Sequence, residues 1–156
     1  MNTLILDLQI ALNKFYLFPR KMHFMYWLTE VYRCIFKNQK IEITIRLVES
    51  NESKRLNMMF CNKRYSTNIL VFPFEYPKNI EKRYKIFLGD IVICPVVLEN
   101  EIKKEKKLLA EHWVHMVVHS ALHLVKYDHV SDIDACVMRN LEIKIMQKLG
   151  YMNPYI

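Results

Sequence analysis

Residues Lys104 to Val125 read KEKKLLAEHWVHMVVHSALHLV, and this stretch decides the fold. In its second half apolar residues surround the helical wheel almost completely, the pattern of a helix enclosed by other elements rather than laid on a surface. A buried central helix over 104–125 has to be covered, and the flanking sequence supplies the cover. Leu4, Leu6, Leu8 and Ile10 alternate with more polar residues, as do Ile41, Ile43, Ile45 and Leu47, and a period of two predicts half-buried strands. The apolar run Ile69 to Phe72, preceded by Thr67-Asn68 and stopped by Pro73, predicts a third strand. The β-branched run from Leu88 to Cys94, ended by Pro95, predicts a fourth.

Three more helices complete the layer. Phe24, Trp27, Leu28, Val31, Tyr32 and Ile35 recur at three- and four-residue steps and share one face, so this helix should lie against the sheet. A shorter helix is expected from about Asn51 to Phe60. Ser131 or Asp132 is placed to cap a last helix carrying Val137, Leu141, Ile145 and Leu149, with Gly150 as its stop and Pro154 beyond. Between Lys78 and Lys85 the chain is charged without a clear period and reads as a loop. With no repeat, linker or low-complexity segment, the expectation is one α+β domain over 1–156, a roughly four-stranded mixed sheet with packed helices and a central buried helix.

Composition bounds what such a domain can be. In 156 residues 52% are hydrophobic, enough for one sizeable core. No apolar run approaches the roughly 18 residues needed to cross a bilayer, and the start lacks the basic-then-apolar layout of a signal peptide. The expectation is a soluble, cytoplasmic protein with no membrane partner. Cys34, Cys61, Cys94 and Cys136 are scattered and form no C-x-x-C pair, so neither a disulfide framework nor a thiolate metal site is suggested. A formal charge of +7 gives a positive field that favours phosphate polyanions, although a generally basic surface would read the same way.

The central helix also carries the chemistry. Four of the six histidines fall between His115 and His129. A four-residue step turns about 400°, so His119 and His123 project from one face a turn apart, within reach of one ion. His129, beyond the expected helix end, can supply a third ligand and leave the fourth tetrahedral position open, which marks a catalytic rather than a structural zinc site. Asp128, beside a ligand, is a candidate for orienting that site, with a turn-forming or hydrogen-bonding role as its alternative. His115 shares the ligand face one turn earlier, so it either touches substrate or packs. The natural use of such a centre is metal-assisted hydrolysis. The spacing H-x3-H-x5-H is also that of the metzincin proteases, but their pattern needs Glu after the first His and Gly seven residues after it. Here those places hold Ser120 and Lys126, which disfavours a metallopeptidase.

The segment His119 to His129 resembles the H-G-x-L-H-L-x-G-Y-D-H signature of the YbeY endoribonucleases. Leu56-Asn57, the stretch Ser66 to Glu75 and Leu88-Gly89-Asp90-Ile91 resemble that family's L-N, P-T-N-V-L-S-F-P and L-G-D-I segments, and the similarity runs from Leu6 to Tyr151. The resemblance implies a small α+β metalloprotein with one Zn2+ per chain on His119, His123 and His129. It further implies cleavage of single-stranded RNA, maturation of the 3′ end of 16S ribosomal RNA, and work on the ribosome or its small subunit in late assembly or quality control. Cys61 stands where the family has an Arg thought to contact RNA or assist cleavage. A thiol cannot make a bidentate phosphate contact, so Lys63 or Arg64 would have to substitute. Loss of that Arg also motivates an alternative, an assembly factor that keeps the metal but not efficient cleavage. Lys54, Arg55, Lys63 and Arg64 are candidates for holding the RNA backbone. Val71 replaces the serine of the P-T-N-V-L-S-F-P stretch, and Ser120 and Lys126 replace two signature glycines. If either glycine position needs positive φ, the replacement costs about 1 kcal/mol.

Overall fold

The computed structural model describes residues 1–75, 85–127 and 131–156. Its elements are β1 (Thr3–Ala11), α1 (Lys21–Arg33), β2 (Lys40–Val48), α2 (Ser50–Cys61), β3 (Ile69–Pro73), β4 (Lys85–Ile93), α3 (Pro95–Glu105), α4 (Leu109–Leu124) and α5 (Asp132–Lys148). The four strands form one mixed sheet in the order β1-β2-β4-β3. β1 and β4 run parallel to β2, and β3 runs antiparallel to β4. The charged segment before β4 falls largely outside the described residues, although Lys85 itself opens the strand.

The period-two pattern sets which face is buried. Leu4, Leu6, Leu8 and Ile10 stand opposite Ile41, Ile43, Ile45 and Leu47, and Ile45 and Leu47 stand opposite Ile91 and Ile93. These residues share one face of the sheet, and all but the exposed Ile10 join the main core, Leu4 and Leu8 at its margin, with Phe24, Leu28 and Val31 of α1, Val114, Val117, Val118 and Ala121 of α4, and Ile145 and Met146 of α5. The Tyr32 hydroxyl donates to the Ala121 carbonyl at 2.9 Å and ties α1 to α4 inside that core. A smaller cluster of Val48, Leu70, Val92 and Cys94, with Leu56 and Phe72, lies on the opposite face, where α2 covers it. Between Glu42 and Ile43 the β2–β4 register slips by one residue, and at Gly89, with φ of +140°, a β-carbon would overlap the Phe72 carbonyl oxygen. Only glycine fits there.

Two readings of the sequence need correction. The helix expected over 104–125 is two helices. Pro95 ends β4 and also opens α3, because its missing N–H and fixed φ suit the first helical position. α3 stops at Lys106, which adopts the left-handed conformation at φ of 54°, and α4 begins at Leu109. No glycine marks this stop, so the lysine run reads through it. The last helix does start at Ser131, whose side chain accepts from the Asp134 N–H at 3.1 Å. Its fully buried residues, however, are Met138, Glu142, Ile145 and Met146; Leu141 and Leu149 of the expected stripe pack against the core only in part, and Val137 is exposed. A carboxylate in the core stripe displaced the apparent face by one residue.

The glycine-poor composition has a structural price. Among the described residues the left-handed positions outside glycine fall on Asn38, Asn62, Lys106 and Lys126. Lys126 follows α4 in a Schellman arrangement: its N–H donates to the His123 carbonyl at 2.9 Å and the Tyr127 N–H to the Leu122 carbonyl at 3.1 Å. With φ of 68° it carries the strain expected of a replaced glycine. Ser120 does not, because it is helical and buried, and its hydroxyl donates to the Met116 carbonyl at 2.7 Å.

Candidate metal centre

α4 presents His115, His119 and His123 on successive turns, as the four-residue spacing requires. The Nε2 atoms of His119 and His123 lie 3.0 Å apart. Two corners of a tetrahedral shell with ligand bonds of 2.0–2.1 Å are separated by roughly 3.3 Å, so this pair is set at near-chelating distance.

Behind the pair stands a residue the sequence did not single out. Glu142 of α5 is fully buried and accepts from His119 Nδ1 through Oε1. Its Oε2 lies 3.3 Å from His115 Nε2 and also accepts from the Tyr155 hydroxyl. Burial pushes the Glu142 carboxyl upward, but the hydrogen bonds from His115, His119 and Tyr155, with the charge of His119, outweigh it and hold the group at about 2. An ionised carboxylate facing Nδ1 holds a proton there, which leaves Nε2 as the ring nitrogen turned toward His123. Burial and the neighbouring Glu142 raise the Tyr155 phenol above its ordinary value, so it remains a donor. Arg139 lies 4.5 Å from the Tyr155 ring centre and His115 packs edge-on against the same ring. The C-terminal residues thereby brace the centre.

His115, His119 and Glu142 also bring one ligand atom each within 4.8 Å of the others, so that triangle could itself hold an ion. Both Glu142 oxygens are already engaged by donors, however, and a carboxylate behind a histidine is the usual support for an imidazole ligand. The Nε2 pair is the better fit, and neutral imidazoles with a carboxylate behind them suit a borderline-soft divalent ion.

The pair opens on a groove of about 300 Å³ between α4 and the edge strand β3, lined by Asn68, Ile69, Val71, Pro73, Met116, His119, Ser120 and His123. Its described lining holds no carboxylate, as the absence of Glu after His119 implies. Val71, in the family's serine place, is one of its walls. Asp128 and His129 lie outside the described residues. His115 turns its ring to Glu142 and Tyr155. Cys61 is exposed at the end of α2, with Lys63 and Arg64 exposed just beyond it. The signal that could have found Glu142 is the stripe Met138, Glu142, Ile145, Met146, in which one acid interrupts an apolar face at helical spacing. Tyr155 had no comparable signal.

A mixed sheet with a histidine-bearing central helix backed by a buried carboxylate defines an α+β protein with a candidate metal site. Residues 18–150 match the family model described as Endoribonuclease YbeY, and the chain belongs to that family. It is 43% identical over 154 residues to Endoribonuclease YbeY of Colwellia psychrerythraea strain 34H, covering 97% of both chains. The solution structure of TM1509 from Thermotoga maritima shares the fold, with a TM-score of 0.54 at 20% identity, covering 94% of this chain and 92% of that one. Among the described residues no helix is long and apolar enough to cross a membrane.

Proposed function

We propose that this chain is a metal-dependent endoribonuclease that cuts single-stranded RNA in the maturation of ribosomal RNA, at the 3′ end of the 16S molecule, and acts in the cytoplasm on the ribosome or its small subunit. One domain spanning 1–156 carries the activity, and one Zn2+ is held by His119, His123 and His129. The observation that carries this reading is the pair of Nε2 atoms 3.0 Å apart at the floor of the β3–α4 groove, in a chain of an endoribonuclease family. When bound, such an ion supplies Lewis acidity toward a phosphoryl oxygen and lowers the pKa of water in its shell.

The chain's own residues do the rest. Glu142 fixes the tautomer and angle of His119, and Tyr155 and His115 fix Glu142. Asp128, next to His129, orients the ligands or the attacking water. The apolar walls Ile69, Val71 and Met116 limit water around the reacting phosphate. Lys54, Arg55, Lys63 and Arg64 hold the RNA backbone, with Lys63 and Arg64 taking over from the arginine that Cys61 replaces.

The test is metal content of the purified protein beside cleavage of a single-stranded 3′-end ribosomal RNA fragment, for wild type and His123→Ala. One zinc per chain, with cleavage lost in the variant, supports the reading, and absence of metal overturns it. A second reading, an assembly factor that keeps fold and metal but not cleavage, rests on Cys61. Zinc without cleavage by the wild type would select it. In the first reading, Lys63→Ala with Arg64→Ala should lower cleavage, and an unchanged rate would remove both residues from the substrate contact.

A further inference from the structure

We propose that the last turn of α2 and the loop after it form a ledge for single-stranded RNA, on which Phe60 and Tyr65 stack bases while Lys63 and Arg64 hold the phosphates. This rests on the endoribonuclease reading and extends it away from the metal. Met58, Met59, Phe60 and Tyr65 are each more than half exposed, an apolar grouping that a protein surface seldom leaves without a contact. The surrounding charge is one-sided. Between Ser50 and Tyr65 the basic residues are Lys54, Arg55, Lys63 and Arg64, and the one acid, Glu52, is engaged by Arg46 at 2.7 Å and by Arg55 at 4.0 Å. Exposed aromatics interleaved with an excess of cations suit a flexible polyanion with planar bases.

The ledge is built rather than loose. The Phe60 ring packs edge-on against Phe72 of β3, with ring centres 5.1 Å apart, so one surface is braced and the other faces solvent. The buried Asn57 amide donates to the Tyr65 carbonyl at 2.9 Å, and Ser53 exchanges hydrogen bonds with the Thr67 backbone at 2.9 and 3.0 Å. These bonds pin the 65–67 segment along α2.

Position links the ledge to the groove. Asn68 lines the groove with His119 and His123, and Tyr65 is three residues upstream, at most about 11 Å away along the chain. β3 is an edge strand whose Val71 faces the groove, whereas Phe72 faces α2. A chain held in both places must bend around that edge, which an unpaired strand does easily and a stiff duplex does not.

The test measures binding of the full zinc-loaded chain to a fluorescein-labelled, 2′-O-methyl single-stranded oligonucleotide, beside the same sequence as a duplex. Phe60→Ala and Tyr65→Ala should each weaken single-strand binding roughly 5- to 100-fold, while Phe60→Trp and Tyr65→Phe retain it. Salt dependence should hardly change in the aromatic variants, whereas Lys63→Ala with Arg64→Ala should flatten the salt slope by about 1.4. Both aromatic sites are exposed, and thermal unfolding checks that the variants remain folded. Single-strand affinity within twofold of wild type in both alanine variants overturns the ledge, as does equal weakening on the duplex, which would mark a surface for something other than unpaired bases. Wild-type cleavage with unaltered binding in those variants discards the ledge and keeps the nuclease. Weakened binding without any wild-type cleavage keeps the ledge and discards the nuclease.

Discussion

Replacing Glu142 with Gln preserves the side chain's shape and removes the charge on which the centre leans. The carboxylate receives His119 and His115 ring nitrogens and the Tyr155 hydroxyl. An amide offers one oxygen for three donors, and its own NH2 then faces at least one of them. Holding the carboxyl at about 2 instead of its ordinary 4.5 corresponds to about 3 kcal/mol in favour of the ionised form. For a chain of this size that loss lowers Tm by roughly 6–12 °C. The group's pKa is depressed on folding, so its stabilisation is full above about 4.5 and is lost as pH falls toward 2. The stability gap between wild type and variant should therefore close across that window. Because Glu142 orients His119, zinc affinity measured by competition with a chelator should fall about 10- to 100-fold at neutral pH. Urea unfolding within about 1 kcal/mol of wild type would refute the account of the carboxylate as an anchor. Unchanged zinc affinity would refute its orienting role.

Three further substitutions test the backbone argument. Lys126→Gly should stabilise the protein by about 1 kcal/mol in denaturant unfolding, because φ of 68° disfavours a β-carbon and the exposed contact with Glu75 at 3.3 Å is worth little; a loss of stability would contradict this. Gly89→Ala should cost about 3 kcal/mol or more, since the new β-carbon meets the Phe72 carbonyl at a positive φ, and near wild-type thermal unfolding would disprove the close approach of β3. Ser131→Ala should cost about 1 kcal/mol through the lost cap of α5, while Ser131→Asp stays near wild type; equal loss in both would point away from capping.

Much of this protein was legible in its residues. The period-two runs predicted β1 and β2, the apolar and β-branched runs closed by Pro73 and Pro95 predicted β3 and β4, and the helical stripe of α1 predicted its docking face. The histidine spacing placed His119 and His123 together because the helix repeat alone brings residues four apart onto one face. The resemblance to the YbeY family was carried by local motifs and agrees with the family match over residues 18–150. Local pattern could not show the break at Lys106, since a lysine there adopts a conformation that glycine normally announces. Nor could it show that β2 pairs with β4 instead of with β3, or that Glu142 is buried. Those facts depend on which elements meet across long stretches of chain. Glu142 reads as a solvated acid on an amphipathic helix until α5 is laid against α4, where two imidazoles and a C-terminal tyrosine turn a costly buried charge into the support of the candidate metal centre.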